Sequence, residues 1–323
     1  MTINQLYFSD EQNLLRAQIR RFVEQEVVPH GEDWEHAGQV PRAVLRKMGE
    51  LGFLGIRYPE EYGGSNMNTL GSVILAEELG RSSFGGFAVT VTVHTDMASP
   101  HLANFGSKAQ KDKYFADLIA GRKICAVGVT EPDAGSDVAG IRTIAVADGD
   151  HYVLNGTKMF ITNGVLGDVY FVAAKTDTSV KGSRGITMFI VDKGMPGFSV
   201  GRALDKQGWR CSDTAELIFD NCRVPRENIL GELNKGFYAI MRNFQNERTV
   251  LAAQSMGEAA RALELTLQYV QERKAFGATL WDKQTIRQRL AMLQAKVEAG
   301  RQLTYHAAWL DAQGVDAVKE VSM

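Results

Sequence analysis

Residues 141–164 read IRTIAVADGDHYVLNGTKMFITNG, and here the apolar residues, which recur at every third or fourth position earlier in the chain, begin to alternate. Alternation puts every second side chain on one face, the mark of a half-buried strand. Asp148-Gly149 and Asn155-Gly156 are turn pairs, so the stretch reads as short strands in a meandering antiparallel sheet. More strands are expected in DVYFVAAK (168–175), GITMFIVD (185–192), SVGRAL (199–204) and AELIFD (215–220). Residues 122–233 therefore read as a β-barrel or sandwich of roughly one hundred residues.

On either side the helical period holds. A capping-box pattern, Ser9-Asp10-Glu11-Gln12, precedes Leu15, Ile19, Phe22, Val23 and Val27 on one helical face, which ends near Pro29. RAVLRKMGELG (42–52), NTLGSVILAEELG (68–80) and KAQKDKYFADLIAG (108–121) continue the helical pattern, separated by clusters such as YPEEYGG. Downstream, Ile286, Leu290, Leu293, Val297 and Leu303 form a seam along one long helix, as in an antiparallel bundle. The final GVDAVKEVSM opens an amphipathic pattern without a cap, so the chain is expected to stop inside a helix. The expected fold class is α+β multidomain: an all-α domain over 1–121, the antiparallel β-domain over 122–233, and a helical bundle over 234–323 that is incomplete.

Composition removes several classes of function. With 36 Lys+Arg against 38 Asp+Glu and no block of five like charges, nucleic acid is not an expected partner. No apolar run approaches about 18 residues, so no membrane span is expected. The opening MTINQLYFSDEQ has neither a secretory nor a transit-peptide pattern, and a cytoplasmic, bacterial-type chain is the expectation. Cys125, Cys211 and Cys222 form no CxxC pair and read as buried thiols in a reducing compartment. No metal site is expected, because the six histidines show no ligand spacing. GxGxxG after a strand, GxxxxGK[ST] and GxSxG are all missing, which excludes a Rossmann site, a P-loop and a nucleophile elbow.

Three stretches carry candidate chemistry. In GVTEPDAGSDVAG (128–140), amides freed by Gly135 and hydroxyls of Thr130 and Ser136 suit a phosphate or a ring edge; a turn-rich linker explains the composition equally well. In KMFITNG (158–164), Phe160 and Thr162 at i and i+2 would share a strand face and meet one ligand together, or belong to an ordinary half-buried strand. In FQNERTV (244–250), Glu247 and Arg248 point about 100° apart on a helix, so each looks for a different partner, or for solvent.

TEPDAGSD, MFITNG and ERKAFG, in the order helices, β-domain, helices, resemble the acyl-CoA dehydrogenases over the entire chain. WEHAGQVPR (34–42) and DTAELIFDNCRVPRENILGELNKGFYAIM (213–241) are most similar to the long-chain subgroup. The resemblance implies FAD bound between the β-domain and the C-terminal helices, with Val127, Val129, Thr130, Gly135 and Ser136 along the flavin and its pyrophosphate. It places Phe160, Ile161 and Thr162 on the isoalloxazine, the Thr162 hydroxyl facing N5; many family members carry Trp where this chain has Phe160. Arg273, Phe276 and Gln284 would reach the FAD of a neighbouring subunit, which implies a homotetramer. Ser136, Tyr238, Gln245, Asn246 and Arg248 would border the acyl-CoA.

The implied reaction, a step of fatty acid β-oxidation, removes the α-proton of a medium-, long- or branched-chain acyl-CoA and passes the β-hydride to flavin N5, giving the trans-2-enoyl-CoA. Most of the family takes its base from a late loop, by motif alignment beyond residue 323, as is its second donor to the thioester carbonyl. The long-chain and isovaleryl subgroups carry the base just before an Arg on this helix, which points to Glu247. Electron-transfer flavoprotein is the implied acceptor. The rival readings are an acyl-CoA oxidase, a flavin monooxygenase of the same fold, which would lack the base, and a non-catalytic acyl-CoA-binding fragment.

Overall fold

The structure is a computed structural model and describes residues 6–180 and 182–323. The first five residues of MTINQLYFSDEQ lie outside the described residues. The helices described are α1 (Asp10–Phe22), α2 (Gly31–Ala37), α3 (Arg42–Glu50), α4 (Thr69–Gly80), α5 (Gly85–Thr92), α6 (Ser99–Phe105), α7 (Lys108–Ile119), α8 (Gly236–Glu272), α9 (Gln284–Ala312) and α10 (Val318–Ser322). The chain divides into two compact units. One takes the described residues of Met1–Glu32 with Met67–Ala88 and Arg248–Met323, and the other Asp33–Asn66 with Val89–Glu247.

The second unit is built on one eight-stranded sheet of β1 (Cys125–Gly128), β2 (Ile144–Asp148), β3 (His151–Thr162), β4 (Val169–Lys175), β5 (Ile186–Asp192), β6 (Phe198–Ala203), β7 (Thr214–Pro225) and β8 (Ile229–Leu230). Its order is β6-β7-β3-β2-β4-β5-β8, with β1 added alongside β4. The hairpins β2–β3 and β4–β5 are the expected antiparallel ones, whereas β1 runs parallel to β4 and β2 meets β4 in parallel at Ile144 and Lys175. Six of the seven residues in each of β4 and β5 are buried, so these strands are covered on both faces. Val169, Phe171, Ala173, Met188 and Ile190 pack with Leu102, Phe115 and Leu118 of the helices. Tyr170, Val172, Phe189 and Val191 turn the other way, toward Tyr152, Leu154 and Leu217.

Two expectations about β3 change. Asn155-Gly156 is no hairpin turn: β3 runs through it to Thr162, and the pairing with β7 skips between Leu154 and Gly156. The bulge lies on β7, where Asp220 and Asn221 stand opposite Asn155 alone; Asn221 is at φ 50°, its amide donates to Asn155 Oδ1 at 2.8 Å, and Gly156 is at φ 150°. A Cβ on Gly156 would lie 2.5 Å from Thr143 Oγ1, which is why the position needs glycine. A second skip falls between Lys158 and Ile161, with Phe160 at φ 60°. Strict alternation therefore fails at Phe160.

The helices expected around 42–52, 68–80 and 108–121 are present as α3, α4 and α7, and both Ser9 and Ser107 close capping boxes, with Gln12 and Gln110. FAVTVTVH (87–94) carries alternating β-branched residues yet is helical, continuing from α5 into a π-helical turn at Val93–Ala98. Residues 85–102 are all buried, so the segment has no polar face to reveal its period.

In the first unit every residue of α4 is buried, Glu77 and Glu78 included. Arg16 Nη1 reaches Glu77 Oε2 at 2.6 Å and Glu78 Oε1 at 3.1 Å, and Arg301 Nε reaches Glu77 Oε1 at 2.9 Å. Tyr305 donates its hydroxyl to Glu77. Burial pushes the Glu77 carboxyl up, and Arg16, Tyr305 and Arg301 together outweigh it, so its pKa falls below the ordinary value. A Cβ on Gly257 would come within 2.0 Å of the Glu77 carbonyl, so α8 and α4 meet backbone to backbone there. The α9 seam Ile286, Leu290, Leu293, Val297 and Leu303 is half-buried, while Thr304, Tyr305, Ala307 and Ala308 are buried. All three cysteines are free thiols and buried.

Candidate active site

Within the second unit a cavity of about 200 Å³ gathers residues from four places in the sequence. Val127 comes from β1, and Val129, Thr130, Gly135 and Val138 from the loop that follows it. Phe160, Ile161 and Thr162 come from the end of β3; Val93, Met97 and His101 from the π-turn and α6; Ile240, Phe244 and Glu247 from α8.

A buried ion pair fixes the loop beneath β3. Lys158 is fully buried, and its Nζ donates to Glu131 Oε1 at 2.6 Å and to the Val129 carbonyl at 3.1 Å. Glu131 also accepts from the Arg142 amide at 2.5 Å and the Thr143 amide at 3.0 Å. Met159 N–H donates to Thr130 O at 2.9 Å, closing the loop against the strand. Burial draws the Lys158 ammonium down to about 8 against the pull of Glu131, so it stays charged at neutral pH. The Glu131 carboxyl, which burial would raise, is held below its usual range by Lys158.

After the bulge at Met159-Phe160, Phe160, Ile161 and Thr162 all border the cavity, although the Ile161 side chain packs into the sheet core with Tyr152, Tyr170 and Leu217. Phe160 is 61% exposed there and Ile161 is buried. Asn163, also at positive φ, ends the strand by donating Nδ2 to Thr90 O at 2.9 Å. On the helical side, burial takes His101 down to about 4, so its imidazole is neutral at pH 7. Glu247 is half-buried and accepts from Asn243 Nδ2 at 2.7 Å. Arg248 is exposed, and the two neighbours part as their helical angle requires.

Of the residues expected from the sequence, eight line this cavity: Val127, Val129, Thr130, Gly135, Phe160, Ile161, Thr162 and Glu247. Ser136 is exposed one residue beyond the cavity wall. Gln245 is half-buried, and Asn246 has its amide engaged, donating to Asp96 O at 2.7 Å and accepting from Arg57. Tyr238 lines a different and larger cavity of about 720 Å³, with Gln110, Lys235 and Arg242. Arg248, Arg273, Phe276 and Gln284 belong to the first unit and are exposed, Phe276 at 96%. Met97, His101, Ile240 and Phe244 were not anticipated; the i, i+4 amide and carboxylate of Asn243 and Glu247 were a readable signal for that helix face.

This wall suits a flat heteroaromatic ring such as a flavin. Phe160 offers an exposed ring, Thr130 and Thr162 stand beside it with hydroxyls, and no atom lies within 4 Å of the Cβ position at Gly135. Among the described residues no cluster of His, Cys, Asp and Glu could hold a metal ion, and no helix is long and apolar enough to cross a membrane.

Comparison with known proteins agrees along the whole chain. The acyl-CoA dehydrogenase N-terminal, middle and C-terminal domains match residues 9–122, 126–222 and 234–323. The mouse mitochondrial long-chain specific acyl-CoA dehydrogenase is 40% identical over 291 residues, 90% of this chain and 67% of that protein. The mitochondrial isovaleryl-CoA dehydrogenase of Pongo abelii is 41% identical over 303 residues, 93% of this chain and 71% of that protein. Among solved structures, an acyl-CoA dehydrogenase from Geobacillus kaustophilus superposes with a TM-score of 0.94 at 42% identity, covering 98% of this chain and 83% of the other. An FAD complex of PigA superposes at 0.94 and 29% identity, covering 100% of this chain and 84% of its own. With three consecutive domains matched and two relatives aligned over nine-tenths of its length, the chain belongs to the acyl-CoA dehydrogenase family of oxidoreductases.

Proposed function

We propose that this protein dehydrogenates a medium-, long- or branched-chain acyl-CoA to the trans-2-enoyl-CoA, with Glu247 as the base that takes the α-proton. The observation that carries this reading is the place of Glu247: it is the one carboxylate among the described residues that line the cavity with Phe160 and Thr162. The α-proton of a thioester is barely acidic, so a carboxylate must sit against it with little competing water. Val93, Met97, Ile240 and Phe244 supply an apolar surround for Glu247, and His101, neutral at pH 7, adds no charge.

FAD, when bound, supplies the acceptor for the β-hydrogen and its electron pair. Val127, Val129, Thr130, Gly135 and Ser136 would hold it from one loop, and Phe160, Ile161 and Thr162 from β3. Arg273, Phe276 and Gln284 would hold the FAD of a neighbouring subunit in a homotetramer. The nearly full exposure of the Phe276 ring suits such a role. Ser136, Tyr238, Gln245 and Arg248 would border the acyl-CoA, with Asn246 beside them, and the electrons would leave to an electron-transfer flavoprotein. The domains would divide as 1–121, 122–233 and 234–323, close to the limits of the three family matches.

Anaerobic titration with acyl-CoAs from short to long chain, following the oxidised flavin band, tests the reading in wild type and Glu247→Gln. Wild type should bleach. The variant should reduce about 10²–10⁴-fold more slowly while keeping its flavin. Equal bleaching would place the base elsewhere, and a flavin-free wild type would favour a non-catalytic acyl-CoA-binding role. Rapid reoxidation of the reduced protein by air would identify an oxidase.

A further inference from the structure

The π-helical turn Val93–Ala98 presents a row of main-chain carbonyls, and side chains take them up one after another. Ser99 Oγ donates to His94 O at 2.6 Å, and the Tyr58 hydroxyl to Thr95 O. Asn246 Nδ2 donates to Asp96 O at 2.7 Å, and Asn243 Nδ2 to Met97 O at 2.9 Å. Two amides on α8 therefore grip consecutive carbonyls of the turn.

Asn243 is 4% exposed, and the same Nδ2 that meets Met97 O also meets Glu247 Oε1 at 2.7 Å. A main-chain carbonyl and an ionised carboxylate both only accept, so the amide can face them in one orientation alone. Asn246 is fixed the same way, with Oδ1 accepting from Arg57 and Nδ2 on Asp96 O. Arg57 in turn lies 4.0 Å from the buried Asp96 carboxylate.

We propose that Asn243 is the positioning residue of the catalytic base: pinned on the Met97 carbonyl, its amide holds the Glu247 carboxylate in one rotamer, facing the cavity. The proposal rests on Glu247 being the base. A neutral N–H donor orients the carboxylate and favours its ionised form, yet adds no charge that would lock the proton off. An aliphatic side chain in its place would remove that constraint on the Glu247 rotamer.

The elements around Glu247 also carry His94 and Asp96 of the π-turn, His101 of α6, Glu131, Asp133 and Asp137 of the loop after β1, Lys158 of β3, and Tyr238, Arg242 and Arg248 on α8 itself, with Arg57 beside Asp96. Substitution at Asn243 leaves all of them in place, so a change in the pH profile reports the amide.

The test is the pH dependence of kcat and kcat/KM for the FAD-loaded enzyme with its best acyl-CoA and a dye acceptor, in Asn243→Ala, Asn243→Ser and Asn243→Asp. In the Ala variant kcat should fall about 10–100-fold, and the acid limb of kcat/KM should move up by about one pH unit. Serine should restore part of both. Aspartate, a second carboxylate beside the first, should move the limb furthest. Holoenzyme content and melting temperature should stay near wild type. Limbs that coincide with wild type in the flavin-loaded variants would overturn the proposal, as would failure of all three to bind flavin, which would make Asn243 a folding residue. Glu247→Gln separates the two readings. If it turns over like wild type, the assignment of the base fails; if it is inactive while the Asn243 limbs do not move, only the positioning role fails.

Discussion

Glu77 and Glu247 are glutamates drawn inward, one in each compact unit, and they are held in opposite ways. Glu77 meets two guanidinium groups and a phenol, all themselves largely buried. Glu247 meets an amide. Charged partners offset the cost of burying a carboxylate only by making it permanently ionised, because removing one partner leaves an uncompensated charge. An amide orients a carboxylate and leaves it able to exchange its proton. The first arrangement suits a fastening point for helices. The second suits a group that must gain and lose a proton in every turnover.

The comparison breaks if stability does not follow it. Glu77→Ala takes the shared carboxylate from Arg16, Arg301 and Tyr305, leaving Arg16 with Glu78 and Arg301 with Glu298, and should cost about 3–5 kcal/mol in urea unfolding. Glu247→Gln should cost under about 1 kcal/mol in the same assay, because its neighbours remain satisfied.

Acid sharpens the contrast. Glu77 is depressed in the folded state, so its stabilising contribution is complete above the unfolded value and fades as pH falls through the folded one, below the usual carboxylate range. His94 acts at higher pH. It accepts from the Cys125 amide at Nδ1, 3.1 Å away, and donates from Nε2 to Leu118 O at 3.0 Å, a neutral tautomer that burial holds at a pKa of about 4. The unfolded chain takes up this proton near 6.5, so stability is full above that pH and declines as pH falls toward 4, by about 3 kcal/mol. Urea midpoints for wild type and His94→Gln should therefore converge as pH drops from 7 to 4. Parallel curves would show that His94 is not buried neutral.

A smaller effect than at Glu77 or His94 is expected at Asn246→Ala, which removes one amide from the π-turn and should cost about 1 kcal/mol. A loss as large as that of Glu77→Ala would mean that the amide grip bears structural weight comparable to the ion pairs.

Periodicity revealed the strand-rich middle, the flanking helices and the capping boxes, because each depends on residues a few positions apart. It misread Asn155-Gly156, since a pair that can close a hairpin can also run within a strand opposite a bulge, and only the partner strand β7, which carries the bulge, decides between them. It took Phe160 and Thr162 as i, i+2 neighbours on a regular strand; both do border the cavity, but a bulge between Lys158 and Ile161 interrupts the strand there. The grouping of Val127, Phe160 and Glu247 was legible only through the family resemblance. Met97 and His101 were not legible at all: they reach the cavity from a segment buried on all sides, where neither charge nor period distinguishes a lining residue from core.

A π-turn closes its ladder from i to i+5 and so accommodates one residue more than the α-helix around it. The carbonyls that Asn243 and Asn246 grip are thus specified by the number of codons in this helix more than by which amino acids they encode. Exchange of one of the buried side chains from Val93 to Ala98 costs only what that side chain contributes, but loss of any single codon there would advance every later residue of the helix by about 100° and turn the gripped carbonyls away. A deletion scan would then show one uniform loss across the turn where a substitution scan shows losses that differ from residue to residue.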